Sequence, residues 1–172
     1  LGELTPRVNR LSVVVPTLDE SRRLPHLLED LERLGNVVGE IVVVDGGSSD
    51  DTAAVARRVG ARVVETAPGR GSQLRVGADA AVAPWIFFVH ADCRLPEETA
   101  GALLAFLETA AADDFAHFRF ALDDRGGFAR FIEFGQRLRE RLYGLVYGDQ
   151  GLVVSRTLYD RAGGYPEWPL ME

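Results

Sequence analysis

The sequence predicts an α/β fold in which helices cover both faces of a mostly parallel sheet. Apolar runs that suit buried strands alternate with segments of helical periodicity through most of the chain. Three of these strands, the first, second and fourth, each end in a polar cluster. The chain has 172 residues, of which 47% are hydrophobic and 26% charged, enough for one domain with a sizeable core. We therefore predict a single domain over residues 1–172.

The first two strand–helix units are defined by apolar runs and turn residues. The run LSVVVPT (residues 11–17) predicts a buried strand, and EIVVVD (40–45) predicts a second. A helix is expected from about residue 20 until Gly35, with one apolar face formed by Leu24, Leu27, Leu28, Leu31 and Leu34. A second helix is expected over residues 49–60, with Ser49 or Asp50 as its N-cap.

The remaining elements are predicted in the same way. ARVVET (61–66) and WIFFVHAD (85–92) predict two more strands, each followed by a helix, at about 71–83 and 96–111. Residues 115–122 alternate like a strand with Phe118 and Phe120 on one face, and GLVVS (151–155) predicts another strand.

A helical segment over residues 128–144 separates these last two strands. Its apolar residues recur at helical spacing, which predicts that they pack in the core while its arginines face water. A second interpretation is that this basic amphipathic segment contacts a membrane or a lipid-phosphate acceptor. The apolar residues are Phe128, Phe131, Phe134, Leu138 and Leu142, and the arginines are Arg130, Arg137, Arg139 and Arg141.

Composition excludes several classes of function. The net charge of -7 and pI near 5.0 argue against general binding of nucleic acid. All 19 basic residues are arginine, which excludes a Schiff-base lysine and a P-loop lysine. The single cysteine, Cys93, cannot form an internal disulfide, which favours a reduced, cytoplasmic setting. No apolar run is long enough to span a membrane.

The polar clusters at the strand ends indicate a binding site. Residues 16–20, 45–48 and 90–92 should share one edge of the sheet, where open parallel sheets bind ligands. The helix after Asp45 begins with Asp50 and Asp51, which repel phosphate there. A nucleotide would need a divalent cation, held by a carboxylate such as Asp92, while Asp45 accepts hydrogen bonds from the base or ribose. Alternatively, Asp45 is only a turn residue and His90 a core histidine.

The segments SVVVPTLDE, EIVVVDGGSSDDT, GRGSQLRVGADAA and FFVHADCRLP resemble, in this order and spacing, the family 2 inverting glycosyltransferases of GT-A (Rossmann-like) fold. The run YGDQGLVVSRTLYDRAGGYPEWPLME is similar to a bacterial subgroup associated with arsenosugar biosynthesis. The resemblance implies a nucleotide-diphosphate sugar donor, a divalent cation (Mn²⁺ or Mg²⁺) and single-step transfer, with inversion, to an acceptor hydroxyl of unknown identity. The amphipathic segment over residues 128–144 adds a lipid-linked acceptor as one alternative.

Site residues carried over from the family fall on the same strand ends. The resemblance implies nucleotide binding by Pro16, Thr17, Glu20, Asp45, Arg70, Arg75 and Ala91, and metal binding by Asp92. His90 stands where the family's first metal-motif aspartate is expected, and Leu18 stands where many relatives carry an aromatic residue against uracil. Arginine suits the diphosphate because it bonds phosphate oxygens bidentately.

The resemblance also implies catalytic residues near the end of the chain. Asp149 and Gln150 would face the sugar or the acceptor, and Glu172 matches the first residue of a Glu-Asp pair whose aspartate is usually the base. We therefore expect that the chain is truncated before this aspartate and that it binds donor but transfers sugar poorly.

Three other functions remain to be weighed. A haloacid-dehalogenase-like phosphatase would place its nucleophile at Asp45, but Gly47 stands where a second aspartate is required and lysine is absent. A sugar nucleotidyltransferase would need a glycine-rich loop and a lysine after the first strand. The third alternative is a nucleotide-sugar-binding module without turnover.

Overall fold

The computed structural model describes residues 10–118, 121–122, 126–143 and 151–166. Within these ranges the strands are β1 (Leu11–Thr17), β2 (Val38–Asp45), β3 (Arg62–Glu65), β4 (Trp85–Phe88), β5 (Phe115–His117) and β6 (Leu152–Ser155). The α-helices are α1 (Leu24–Glu32), α2 (Thr52–Arg58), α3 (Arg70–Ala80), α4 (Thr99–Thr109), α5 (Gly127–Tyr143) and α6 (Arg156–Arg161). A short 3₁₀ helix, Gly35–Val37, precedes β2.

The strands form one six-stranded sheet in the order β3-β2-β1-β4-β6-β5. The first four strands of this order are parallel, whereas β6 runs antiparallel to both β4 and β5. The chain moves outward from β1 to β2 and β3 and then returns to place β4 on the other side of β1. This reversal creates a switch point between the carboxyl ends of β1 and β4, where ligands bind in open α/β sheets.

The pleat of the sheet divides the core between two faces. Val13 and Val15 pack with leucines of α1 and α4 on one face, while Val14 packs with Leu74 and Ala78 of α3 on the other. Successive strand residues point to opposite faces, so a strand covered on both sides reads as a continuous apolar run. The predicted mostly parallel sheet with helices on both faces is confirmed.

Element boundaries differ from the predictions where loops leave the sheet. Helix α1 begins at Leu24 because residues 21–23 form a turn in which Arg23 and Leu24 donate to the Glu20 carbonyl. Strand β4 ends at Phe88 because the chain turns, with Cys93 N–H donating to the His90 carbonyl. Helix α6, whose first turn is capped by the Ser155 hydroxyl, had not been predicted.

Helix α5 forms as predicted, but the prediction that its aromatic face lies in the core is wrong. Phe128, Phe131 and Phe134 are 77%, 72% and 60% exposed, and Leu138 is 45% exposed. Helical periodicity identifies an apolar face, but it does not determine whether the fold covers that face. Neither α5 nor any other helix in the described ranges is long and apolar enough to cross a membrane.

Candidate active site

A cavity of about 470 Å³ opens at the switch point between β1 and β4. Its size is that of a small-molecule site. It is enclosed by the loop after β1, the segment that leads into α3, and the loop after β4. Its lining residues are Pro16, Thr17, Leu18, Glu20, Pro68, Gly69, Arg70, Gln73, His90, Ala91 and Asp92.

Hydrogen bonds connect the loop after β1 to the loop after β2, and each loop donates to the other. Asp19 adopts a left-handed backbone conformation, with φ of 55°. Its N–H donates to the Ser48 hydroxyl at 2.9 Å, and its carboxylate accepts from Ser49 N–H at 2.8 Å. Glu20 N–H donates to the Thr52 hydroxyl at 2.8 Å. These bonds fix the backbone that presents Thr17 and Glu20 to the cavity.

Asp50 completes this connection from the start of α2. Its carboxylate accepts from the backbone N–H groups of Ser21 at 3.1 Å and Thr52 at 3.0 Å. The N-cap of α2 is Asp51, so the prediction of Ser49 or Asp50 as the cap is wrong; from the position before the cap, Asp50 nevertheless satisfies a backbone donor of the first helical turn. Hydrogen bonds from Ser21 and Thr52 lower the pKa of Asp50 below its ordinary value of 3.8.

We expect Asp50→Ala to lower the melting temperature at pH 7. A depressed pKa in the folded state stabilises the fold above the ordinary pKa, and this stabilisation is lost as pH falls through the folded value. The difference in melting temperature between the parent and Asp50→Ala should therefore shrink as the pH falls below 3.8, the ordinary pKa of the carboxyl group. Circular dichroism melts from pH 7 to pH 3 would measure it. Asp51→Ala is the matched control, because the Asp51 side chain makes no cap hydrogen bond; a pH-independent difference for Asp50→Ala would contradict the prediction.

Asp45 lies at the end of β2, behind the residues that line the cavity. It is 4% exposed, and its carboxylate accepts hydrogen bonds from the Thr17 hydroxyl at 3.2 Å, the Ser48 hydroxyl and Ser48 N–H at 3.0 Å. Thr17 is itself a lining residue. In this structure Asp45 orders the turn after β2 and contacts the cavity wall through Thr17.

We expect Asp45→Asn to lower the free energy of unfolding by about 1–3 kcal/mol, because its amide would turn a donor toward other buried donors. If Asp45 also binds the nucleoside, calorimetric affinity for a nucleoside diphosphate should fall in the same variant. Urea unfolding and the nucleotide titration separate the two effects. Unchanged stability would contradict the hydrogen-bond network, and parent-like nucleotide affinity in a folded variant would leave Asp45 as a turn residue only.

Gln73 is a site residue that the sequence reasoning missed. Its side chain is buried on the inner face of α3, and its amide donates to the carbonyls of Thr17 and Val44, both at 2.8 Å. It thereby ties α3 to the ends of β1 and β2. A glutamine one turn into a helix that follows Gly69 has no distinctive signal in a single sequence.

The two arginines predicted to bind diphosphate lie in different places. Arg70 begins α3, is exposed and lines the cavity. Arg75 lies one turn further along the helix, and its guanidinium donates to the Tyr165 carbonyl at 3.2 Å and the Gly163 carbonyl at 3.5 Å. Arg75 therefore contacts the segment after α6 and is absent from the cavity lining.

The loop after β4 carries the carboxylate that the sequence predicts as a metal ligand. Asp92 is exposed and lines the cavity together with His90 and Ala91. No group of three or more His, Cys, Asp or Glu residues suited to a metal occurs within the described part of the chain. A single carboxylate nevertheless fits Mg²⁺ or Mn²⁺ in a nucleotide site, because these cations take their remaining ligands from phosphate oxygens and water.

The structure thus brings six of the predicted nucleotide or metal residues together around one cavity. They are Pro16, Thr17, Glu20, Arg70, Ala91 and Asp92. The predicted catalytic residues Asp149, Gln150 and Glu172 lie outside the described residues.

Solved structures share this fold. Glucosyl-3-phosphoglycerate synthase from Mycobacterium tuberculosis, in complex with Mn²⁺, uridine-diphosphate-glucose (UDP-glucose) and phosphoglyceric acid, matches with a TM-score of 0.63 and 26% identity, over 86% of this chain and 57% of that one. The same enzyme in complex with UDP matches with a TM-score of 0.64 and 25% identity, over the same shares of the two chains. The fold is therefore the GT-A fold of nucleotide-sugar transferases.

Curated relatives and a family model agree with the fold. An uncharacterised glycosyltransferase of Mycobacterium tuberculosis (strain ATCC 25618 / H37Rv) is 37% identical over 102 residues, which are 59% of this chain and 45% of that protein. A 4,4'-diaponeurosporenoate glycosyltransferase of Staphylococcus haemolyticus is 33% identical over 122 residues, 66% of this chain and 31% of that protein. The chain thus spans less than half the length of these relatives. The model named Glycosyl transferase family 2 matches residues 12–158. The chain belongs to glycosyltransferase family 2.

Proposed function

We propose that the chain transfers a sugar from a nucleotide-diphosphate sugar to an acceptor hydroxyl, with inversion at the anomeric carbon. The observation that carries the proposal is the convergence of the loops after β1 and β4 on one cavity at the switch point, with an exposed carboxylate, Asp92, at its wall. The solved relative binds UDP-glucose and Mn²⁺. Mn²⁺ or Mg²⁺ held by Asp92 would neutralise charge on the diphosphate.

The roles of the cavity residues follow from their positions. Pro16, Thr17 and Glu20, at the end of β1, would bind the nucleoside. Arg70 would donate to diphosphate oxygens, stabilising the negative charge that develops as the sugar departs. The acceptor oxygen forms a bond to the anomeric carbon while the bond to the β-phosphate oxygen breaks and its electron pair leaves with the nucleoside diphosphate. The hydroxyl proton passes to a carboxylate acting as general base.

The identity of the general base stays a prediction. The resemblance assigns it to an aspartate expected after Glu172, and within the given sequence Asp149 and Glu172 are the candidate carboxylates, with Gln150 predicted to face the sugar or the acceptor. Asp149→Asn and Glu172→Gln should be compared with the parent in donor binding and in sugar transfer. The base is the residue whose loss abolishes transfer and leaves donor affinity unchanged. If both variants keep parental turnover, neither residue is the base.

A thermal-shift panel of nucleoside diphosphates and nucleotide sugars, with and without Mn²⁺, tests donor binding and identifies which nucleobase the site prefers. A ligand that binds the folded state raises the melting temperature in proportion to the logarithm of its concentration over its dissociation constant. We expect stabilisation only by nucleotides, and more with Mn²⁺. The configuration of the product, determined by NMR, tests inversion.

The alternative functions fare differently. Asp45 is buried, its carboxylate is bonded to Thr17 and Ser48, and it lies outside the cavity lining, so nothing favours a phosphatase nucleophile there. A nucleotide-sugar-binding module without turnover predicts the same thermal shifts and no product. The resemblance to the arsenosugar-associated subgroup stays a prediction about the acceptor's pathway and identifies no substrate.

We also propose that the enzyme works at the cytoplasmic face of an anionic membrane on a lipid-linked acceptor. Helix α5 exposes Phe128, Phe131 and Phe134 and carries the exposed cations Arg130 and Arg141. Exposed apolar rings combined with arginines suit the boundary between acyl chains and anionic headgroups.

We expect co-sedimentation with phosphatidylglycerol vesicles and weaker binding to phosphatidylcholine vesicles. The double change Phe131→Ser and Phe134→Ser should reduce binding by at least about tenfold, because burying each ring contributes about 1.5–3 kcal/mol. Phe115→Ser is the matched control, since Phe115 is 55% exposed but lies on β5. Equal binding by the double variant and the control would contradict the membrane proposal.

A further inference from the structure

Asp30 is a buried carboxylate on α1 that binds the loop after β4. Its side chain is fully buried and lies on the apolar face of the helix, beside Leu27 and Leu31. Arg94 donates to it twice, from Nε at 2.8 Å and from Nη2 at 3.0 Å. Leu95 N–H donates at 2.8 Å, and Arg33 forms an ion pair at 2.6 Å.

These bonds fix one end of the loop that carries Asp92. Arg94 and Leu95 follow Asp92 by two and three residues. On the other side of Asp92, Val89 N–H donates to the Val14 carbonyl of β1 at 3.1 Å. The loop is therefore held at one end by the sheet and at the other by Asp30, with Asp92 exposed between the two attachments.

The chemistry of Asp30 suits a permanent anchor. Burial raises its pKa, but hydrogen bonds from Arg94, Leu95 N–H and Arg33 outweigh burial, and the pKa lies below the ordinary value of 3.8. The carboxylate is thus ionised at neutral pH. A bidentate guanidinium–carboxylate pair has a fixed planar geometry, which restrains direction as well as distance.

We infer that Asp30 is a positioning residue for the metal site: through Arg94 and Leu95 it holds the loop after β4 so that Asp92 faces the cation and the diphosphate. The inference rests on the proposed function, in which Asp92 binds the metal. Asp30 itself is closed off from the cavity and would bind neither metal nor nucleotide. Groups that orient a metal ligand typically change metal affinity about 10–100-fold when removed.

The test compares the affinities for Mn²⁺ and UDP in Asp30→Asn and Arg94→Met. Mn²⁺ affinity is measured by electron paramagnetic resonance at saturating UDP, and UDP affinity by calorimetry in EDTA. We expect Mn²⁺ to bind about 10–100-fold more weakly to both variants, with UDP affinity in EDTA unchanged. Arg94 is half exposed, so Arg94→Met keeps the test decisive if Asp30→Asn fails to fold.

Arg57→Met is the matched control, because it removes an ion pair of 2.8 Å, to Glu65, that is exposed and lies toward the β3 edge of the sheet. It should leave both affinities unchanged. Parental Mn²⁺ affinity in Arg94→Met would overturn the inference. A loss of UDP affinity in EDTA as large as the loss of Mn²⁺ affinity would also overturn it, because Asp30 and Arg94 would then only support the fold. If the proposed function is wrong, the parent protein itself will bind UDP equally well with and without Mn²⁺.

Discussion

Replacing Asp92 with asparagine is expected to remove the Mn²⁺-dependent part of UDP binding and to leave the fold intact. Asp92 is exposed, so the change leaves no buried group unpaired. It is also the carboxylate of the cavity that follows β4, across the switch point from the β1 residues that we propose bind the nucleoside. Loss of an outer-shell group costs about 10–100-fold in metal affinity, so loss of the ligand itself should cost about 100-fold or more.

Calorimetric titrations of UDP in Mn²⁺ and in EDTA measure this effect. The parent should bind more tightly in Mn²⁺, whereas Asp92→Asn should bind equally in both buffers. Glu97→Gln serves as the control, because Glu97 is an exposed carboxylate five residues further along the chain and is absent from the cavity lining. A variant at position 92 that retains the Mn²⁺ enhancement would show that another group holds the cation.

Gly77→Ala is expected to destabilise the fold more than any surface change. Gly77 lies where α3 packs on the sheet, and a Cβ there would stand 2.3 Å from Val14 Cγ1 and 2.9 Å from Val44 Cγ2. Both valines are fully buried, so a shift of either side chain would disturb the packed core. Overpacking of this kind costs about 1–3 kcal/mol and occasionally more, which can exceed the gain in helix propensity.

Gly101→Ala provides the matched control on α4. No heavy atom lies within 4 Å of a Cβ at Gly101, so alanine should stabilise that helix by about 0.5–1 kcal/mol. Urea unfolding of the two variants should therefore show shifts of opposite sign. A Gly77→Ala protein as stable as the parent would contradict the close contact between α3 and β1.

Much of the fold could be predicted because burial on both faces leaves a direct signal in the sequence. The strands β1 and β4 and the second half of β2 are largely apolar runs, and all three are interior strands of the sheet. Helix boundaries were less predictable, since the turn before α1 depends on hydrogen bonds to the Glu20 carbonyl. The exposure of the α5 phenylalanines could not be predicted either, because apolar residues at helical spacing form the same pattern whether or not another surface covers them.

The candidate site was predictable to the extent that it follows from strand ends. Parallel strands bring their carboxyl ends to one edge, which placed Thr17 and Asp92 on the same cavity. Side-chain direction was not predictable in this way: Asp45 turns to Ser48, and Arg75 turns to the segment after α6. Gln73 and Asp30 were missed because buried polar residues are recognised by their partners, which are distant in the sequence.

Anomalous diffraction at the manganese edge, from crystals grown with UDP and Mn²⁺, would locate the cation and the nucleotide together. We expect one manganese peak beside the Asp92 carboxylate, diphosphate oxygens on the same ion, and the nucleoside against Pro16 and Thr17. Arg70 should contact the diphosphate. A nucleotide bound elsewhere, such as in the groove of about 540 Å³ between α1 and α2, or a manganese peak remote from Asp92, would contradict the proposed donor site.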